Sequence, residues 1–251
     1  MVQRATKMLE YVLDQGRVEV SELAGMFAVS EVTVRKDLDQ LEQRGLVRRE
    51  HGYAVPVSTD NMRSRLAYHY DAKRRIARSA AESIGEGGLV MIESGSCCAL
   101  LAEELATTRR DVTIVTNSAF IADFIRTAPY ARLVLLGGDY QNESQVLVGP
   151  VAKDNARRFH VAQIFVGIDG YTGAAGFTAK DHLRADTMRA MSDQADEVVV
   201  LTESAKFGKQ GAIHLFDTGE VSAVFTDDAL PRPIQSQLTA AGVTITKVAS
   251  A

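Results

Sequence analysis

The residues of this chain best suited to chemistry stand in short clusters, each at the end of an apolar run. They read Glu93-Ser94-Gly95-Ser96-Cys97, Thr116-Asn117-Ser118, Gly137-Gly138-Asp139, Gly167-Ile168-Asp169-Gly170 and Thr202-Glu203-Ser204-Ala205-Lys206. Glycines and hydroxyls between a strand and a helix let backbone N–H groups face an anion closely, and the helix N-terminus favours negative charge. Ser94, Gly95 and Ser96 ahead of a helix fit a phosphate cradle. Asn117 and Ser118 add donors, Lys206 adds a positive charge, and Asp169 can accept hydrogen bonds from sugar hydroxyls. Asp181 and Arg184, which follow Gly176-Phe177-Thr178, stand at the level of the same rim. Taken singly, each group has a plainer reading: a turn, a helix cap, a surface ion pair. Their joint appearance at successive strand ends points to a small, polyhydroxylated, phosphorylated ligand.

Other chemistries find no support. There is neither the G-x-G-x-x-G dinucleotide fingerprint nor a Walker A loop, so no NAD or ATP cofactor is expected. His51, His69, His160, His182 and His214 are scattered without metal-site spacing, and no metal is expected. Cys97-Cys98 lacks C-x-x-C spacing, and neighbouring cysteines cannot staple distant segments. No G-x-S-x-G elbow is present.

The elements that must position these clusters follow from periodicity. Apolar runs at 89–92, 112–116, 132–136, 162–168, 197–202, 223–226 and 243–248 alternate with amphipathic stretches near 98–106, 118–127, 151–158, 182–195 and 231–241. A further helix is expected from about Asp71 to Gly85. Strands alternating with helices imply an α/β domain built on a mostly parallel sheet covered on both faces. Ligands of such sheets lie beyond the carboxyl ends of the strands, which is where the polar clusters fall.

The first 56 residues read differently. Met8, Leu9, Val12 and Leu13 mark a helix over 3–14, closed near Gly16. Arg17-Val18-Glu19-Val20 alternates like a short strand. Ser21 is positioned to cap a second helix carrying Leu23, Ala24 and Phe27. Ser30 is positioned to cap a third, whose Val34, Leu38 and Leu41 form a stripe ended by Gly45. Leu46–Glu50, a His51-Gly52 turn and Tyr53–Val55 complete a hairpin. This is the order of a winged helix-turn-helix, a small, mainly α unit in which the third helix enters a DNA major groove. Off its apolar stripe lie Glu31, Thr33, Arg35, Lys36 and Gln40. Ser30 and the helix N-terminus favour a phosphate, and Arg48 and Arg49 flank the wing. A protein-interaction module with a solvated basic face is the plainer reading.

The 251-residue length suits one small and one large domain. Net charge is −4, but residues 1–80 carry +3 and the remainder −7, so a polyanion must be met by the N-terminal end. No apolar run approaches the ~18–20 residues that span a bilayer, and the first residues lack an apolar signal-peptide centre. Two cysteines fit a reducing, cytoplasmic setting.

At the level of motifs the chain resembles the DeoR family of bacterial transcriptional regulators. The resemblance rests on Ser21-Glu22-Leu23-Ala24, the third helix with its Ser30, Thr33, Arg35 and Asp37-Leu38, the His51-Gly52 turn, the stretch from Ser144 to Gly149-Pro150, and the strand-end clusters. It covers nearly the whole chain in order. It implies a fold for the larger domain similar to ribose-5-phosphate isomerases and coenzyme A transferases, a repressor of a sugar or nucleoside catabolic operon, and release from double-stranded operator DNA by a phosphorylated sugar. It also implies a homo-oligomer, dimer or tetramer. Tyr53 stands where the family often has glycine, and Cys97 where it often has a hydroxyl. An isomerase-like enzyme with a helical appendage is the alternative, but Asp169 is followed by Gly170 rather than by a second acid for proton shuttling.

The resulting expectation divides the chain into a DNA-binding domain (1–56), a linker (57–71) and a sensing and oligomerisation domain (72–251), with no catalytic residues. DNA contacts are expected from Ser30, Glu31, Thr33, Arg35, Lys36, Gln40, Arg48, Arg49 and His51. Effector contacts are expected from Ser94, Gly95, Ser96, Cys97, Thr116, Asn117, Ser118, Gly137, Gly138, Asp169, Asp181 and Lys206.

Overall fold

A computed structural model describes residues 2–58 and 60–249. The chain forms two compact units, 1–70 and 71–251.

The first unit runs α1 (Val2–Gln15), β1 (Val18–Glu19), α2 (Val20–Met26), α3 (Glu31–Gln43), β2 (Val47–Glu50), β3 (Tyr53–Pro56) and α4 (Met62–Ala67). Its core joins Met8, Leu9 and Val12 of α1 to Leu23 of α2 and to Val34, Leu38 and Leu41 of α3. The expected stripe of α3 is therefore the buried face. Ser30 is the N-cap of α3: its hydroxyl accepts the Thr33 N–H at 3.3 Å and lies 2.9 Å from the Thr33 hydroxyl. β2 and β3 pair antiparallel across His51-Gly52, and β1 joins the other edge of β3.

Three expectations are corrected. Ser21 does not cap α2; the cap position is Glu19, without a side-chain cap bond, and the Ser21 hydroxyl donates to the Glu19 carboxylate at 3.0 Å. The strand at 17–20 shrinks to Val18–Glu19 because Val20 already begins α2, its N–H bonded to the Gly52 carbonyl at 2.9 Å. The stretch 57–71 holds a helix rather than a plain linker. Asn61 caps α4 by accepting the Arg63 and Ser64 N–H groups, Met62 and Ser64 are buried, and the Ser64 hydroxyl donates to the Leu46 carbonyl at 3.3 Å. Six residues are under two turns, too few to print a helical period on the sequence.

The second unit begins with α5 (Tyr70–Glu82), β4 (Gly88–Ile92), α6 (Ser96–Thr108), β5 (Val112–Thr116), α7 (Ala119–Phe124) and β6 (Leu133–Leu135). It continues with β7 (Asp139–Gln141), β8 (Val146–Val148), α8 (Pro150–Ala156), β9 (Val161–Val166), β10 (Gly170–Thr172) and β11 (Gly176–Ala179). It closes with α9 (His182–Ser192), β12 (Ala195–Leu201), β13 (Ile213–Phe216), β14 (Ala223–Asp227), α10 (Arg232–Ala240) and β15 (Thr244–Val248). Seven strands form one parallel sheet in the order β15-β14-β12-β9-β4-β5-β6. Met91, Val115, Ile164, Val166, Val200 and Val224 make its buried centre, as the continuous apolar runs require of strands covered on both faces.

The sheet grows from β4 outward to β5 and β6, then returns to the other side of β4 with β9. Strand order thus reverses between β4 and β9, the place where open α/β sheets bind ligands. Two small additions lie outside the seven strands expected: a β7–β8 hairpin and an antiparallel β10-β11-β13 sheet. Their strands of three or four residues are too short to announce themselves by alternation. Among the described residues no helix is long and apolar enough to cross a membrane.

Leu38 is fully buried where α3 meets its neighbours. Leu38→Ala is expected to lower the stability of the first unit by about 2–5 kcal/mol, measured by urea unfolding followed by helical circular dichroism. A loss below about 0.5 kcal/mol would contradict this packing.

Candidate functional site

The outer face of α3 is what burial of Val34, Leu38 and Leu41 leaves over. Glu31, Arg35, Lys36 and Gln40 are exposed and Thr33 is half-buried; Val32 beside them is 72% exposed. Asp37 points the other way, buried and bonded to the Arg4 guanidinium at 2.7 Å, which ties α1 to the back of α3. Arg35 is held by Glu31, one turn earlier, at 2.6 Å. Exposed pairs of this kind contribute about 0–1 kcal/mol, so a phosphate can take the guanidinium at little cost.

The wing residues divide. Arg48 is exposed and paired only along its own strand with Glu50 at 2.6 Å among the bonds described. Arg49 turns back to α3, where it meets Asp39 at 2.7 Å and Glu42 at 3.2 Å, and its N–H also donates to Glu42 at 3.0 Å. Arg49 therefore fixes the hairpin to the third helix. His51 is exposed at the tip with a positive φ of 45°. At the base of the wing, Tyr53 donates to Glu19 at 2.7 Å and lies under the Arg17 guanidinium, 4.0 Å from the ring centre. The bulk that replaces a flexible glycine is thus anchored.

In the second unit, the carboxyl ends of β4 and β9 are bound tightly together. The Glu93 N–H donates to the Phe165 carbonyl at 2.9 Å. The buried Glu93 carboxylate accepts the Ser94 hydroxyl at 2.5 Å and the Gly167 N–H at 3.4 Å. A Cβ on Gly95 would meet the Gly167 Cα at 3.2 Å and the Cys98 sulfur at 3.1 Å, so glycine is needed for the two backbones to approach. Gly95 is the N-cap of α6; Ser94, Gly95 and Cys97 are buried and Ser96 half-buried at its N-terminal end. These are the residues for which the sequence suggests a phosphate cradle.

The end of β5 is buried and closed over by the β7–β8 hairpin. The Ser118 hydroxyl caps α7 by accepting the Ile121 N–H, and the Thr116 hydroxyl accepts the Ser118 N–H, each at 3.1 Å. The Asn117 amide donates to the Leu147 carbonyl at 3.1 Å, and the Leu147 N–H returns to the Asn117 carbonyl at 2.8 Å. The Asn117 side-chain oxygen is buried with no hydrogen-bond partner. From the hairpin, Gln141 accepts the Ser144 hydroxyl at 3.1 Å and donates to Asp181 at 3.3 Å.

Several expected ligands already have structural duties. Asp181 caps α9 by accepting the Arg184 N–H at 2.9 Å. Burial raises its carboxyl, but the bonds from Arg184 and Gln141 prevail and hold it below the ordinary carboxylate range. Asp169 accepts the Lys180 N–H at 2.9 Å, tying together the open end of the β10–β11 hairpin, away from its turn. Gly137 and Gly138 turn the chain: a Cβ on Gly137 would lie 3.0 Å from the Asn155 amide, and one on Gly138 2.6 Å from the Val148 carbonyl, so both pack against their own neighbours. Lys206 sits half-buried in a short 3-10 turn at Ser204–Lys206. Among the described residues no cluster of three His, Cys, Asp or Glu side chains could hold a metal ion.

The sequence reading missed Gln141, whose hairpin left no periodic signal, and Lys73. Lys73 is buried in α5 on the same stripe as Ile76, Ala77 and Ala80. A lysine in register with an apolar stripe was the signal available.

Comparison with known proteins agrees in both units. Residues 4–60 match the family model described as "DeoR-like helix-turn-helix domain", and residues 68–228 match "DeoR C terminal sensor domain". The chain is 30% identical over 240 residues to the glycerol-3-phosphate regulon repressor of Escherichia coli (strain K12), covering 94% of this chain and 95% of that protein. It is 28% identical to the L-fucose operon activator of Haemophilus influenzae, over 91% and 92% of the two chains. Among solved structures, ribose 5-phosphate isomerase A of Methanocaldococcus jannaschii aligns with 55% of each chain at a TM-score of 0.42 and 19% identity.

The close approach of Gly95 to Gly167 gives a direct test. Gly95→Ala pushes a methyl against backbone at 3.2 Å and is expected to cost about 1–3 kcal/mol, read as a lower melting temperature. A variant as stable as the parent would show that the two strand ends are not held together as described.

Proposed function

The chain belongs to the DeoR family of transcriptional regulators, and we propose that it is a repressor of a sugar or nucleoside catabolic operon, released from its operator by a phosphorylated sugar. It is a regulator rather than an enzyme. Asp169, the single acid of the isomerase-like loop, is occupied in accepting the Lys180 N–H and is followed by Gly170. General acid–base shuttling would need a second group in that loop.

The observation that carries the DNA half is the division of α3 into two faces, with its apolar stripe buried and Glu31, Arg35, Lys36 and Gln40 outward. Lys36, Arg35 and Arg48 contact phosphates or base edges, Gln40 and Thr33 read bases, and Ser30 at the helix N-terminus meets a phosphate. Glu31 orients Arg35, Arg49 sets the angle of the wing, and His51 reaches the adjacent groove.

The ligand half rests on the reversal of strand order between β4 and β9, with the cradle at Ser94, Gly95, Ser96 and Cys97 beside it. Backbone N–H groups at the start of α6 receive the phosphate. The unpartnered Asn117 oxygen supplies an acceptor that a sugar hydroxyl satisfies, since a buried polar atom left unpaired costs about 1–3 kcal/mol. Lys206 contributes charge, Asp181 positions Gln141, and Thr116 and Ser118 hold the Asn117 loop. The protein acts in the cytoplasm, where phosphorylated sugars and DNA meet, and as a homo-oligomer on repeated half-sites.

Affinity for a duplex selected from a random pool, measured by fluorescence anisotropy at several salt concentrations, tests the reading. A steep fall of affinity with salt is expected. Lys36→Ala should reduce the slope of log affinity against log salt by about one, and Arg35→Ala should weaken binding by about 1–3 kcal/mol at the base it reads. A slope near zero, or both variants binding like the parent, would overturn the DNA assignment.

A further inference from the structure

Val32 is the most exposed large hydrophobic side chain among the described residues, at 72%. It stands in the first turn of α3, just after the Ser30 cap. A helix turns about 100° per residue, so Val32, two positions ahead of Val34, points away from the stripe that Val34, Leu38 and Leu41 bury. Every other side chain of α3 outside that stripe is polar or charged. The fold gains nothing from a valine at this place. Its β-branch lowers helix propensity relative to alanine, glutamate or lysine, and its surface stays in water.

The surroundings say what would cover it. Arg35 and Lys36 lie three and four residues further on, the spacing that sets side chains next to one another on a helix face, and both are exposed. Glu31, the acid of this turn, is engaged with Arg35 at 2.6 Å. One isolated valine is too small for a protein partner, whose stable interfaces bury about 800 Å² a side. Flanking cations favour a polyanion. In a DNA major groove the apolar feature of matching size is the C5-methyl group of thymine, set among polar base edges. The N-terminal residues of a recognition helix are the ones that reach those edges, and Val32 belongs to that turn.

We propose, resting on the DNA reading above, that Val32 is a specificity-determining residue whose methyl groups pack against the C5-methyl of one thymine in each operator half-site. The contact selects by size and polarity rather than by hydrogen bonding. Cytosine at that position lacks the methyl, and a purine presents N7, an acceptor that valine leaves unpaired. Binding also removes the apolar surface of Val32 from water, which is favourable in itself.

The test uses the full-length protein and the duplex selected from a random pool, with each thymine replaced in turn by 2′-deoxyuridine. That exchange removes one methyl group and keeps every hydrogen-bonding atom of the base. By fluorescence anisotropy at fixed salt, the parent is expected to lose about fourfold in affinity at one thymine of a half-site, the equivalent of about 0.8 kcal/mol. Val32→Ala, on the water-facing side of the helix, is expected to melt no lower than the parent and to keep its salt slope, while binding the thymine and deoxyuridine duplexes equally. Val32→Ile, which keeps a branched apolar side chain, is expected to retain the discrimination. A parent indifferent to every replacement, or a Val32→Ala variant that keeps the full penalty at each sensitive thymine, overturns the assignment and leaves the DNA reading standing. A parent that binds no duplex with salt-dependent affinity removes both.

Discussion

The second unit depends on one topological constraint: the sheet reverses its order of growth between β4 and β9. Crossovers from these neighbouring strands run in opposite directions along the sheet, so no connection fills the space above their carboxyl ends. The chain defines that space from both sides. Glu93 bonds its own Ser94 and reaches across to the Gly167 N–H, and the lack of side chains at Gly95 and Gly167 lets the two backbones approach. The rest of the rim follows from this junction. The β7–β8 hairpin closes over the end of β5 through Asn117, and Gln141 links that hairpin to the Asp181 cap of α9.

The DNA-binding unit obeys a different economy. Its interior is an ordinary three-helix core, and its exposed charges are held in weak pairs such as Arg35 with Glu31 and Arg48 with Glu50. Weak pairing keeps these side chains oriented while leaving them available to a polyanion. Strong or multiple pairing serves shape: Arg4 with the buried Asp37 joins two helices, and Arg49 with two carboxylates fixes the wing. If a ligand in the sensor weakens the hold on DNA, DNA must weaken the hold on ligand by the same factor.

Much of this was legible in the sequence, for physical reasons. The inner strands are dominated by apolar residues, because a strand covered on both faces has little room for polar side chains, and the run at 112–116 coincides with β5, whereas the edge strand β15 keeps Thr244, Thr246 and Lys247. Ser30 was readable as a cap because an oxygen-bearing side chain directly before an apolar stripe has few other uses. What escaped was short or non-local. α4 has six residues, and the β7–β8 strands have three each, below the length at which a period shows. Ser21 looked like a cap, but helix α2 begins one residue earlier, where Val20 is buried. Around the candidate site, the sequence placed the Gly95 loop and Asn117 at strand ends from their types, whereas the close packing of Gly137 and Gly138 and the Asp169 bond to the Lys180 N–H depend on partners far along the chain. The pairing of buried Lys73 with Glu203, a residue 130 positions away, exists only once the chain is folded.

In the proposed function, an anion held at the rim of the sensor loosens the grip of the DNA-binding unit on its operator. Titrating phosphorylated sugars, and their unphosphorylated parents, into a complex of the full-length protein with its selected duplex measures this coupling directly. At least one phosphorylated sugar should raise the apparent Kd for DNA about tenfold or more, a coupling of about 1.4 kcal/mol, while its parent sugar leaves it unchanged. A Kd that no phosphorylated sugar alters, in a protein that binds one by calorimetry, would contradict the account.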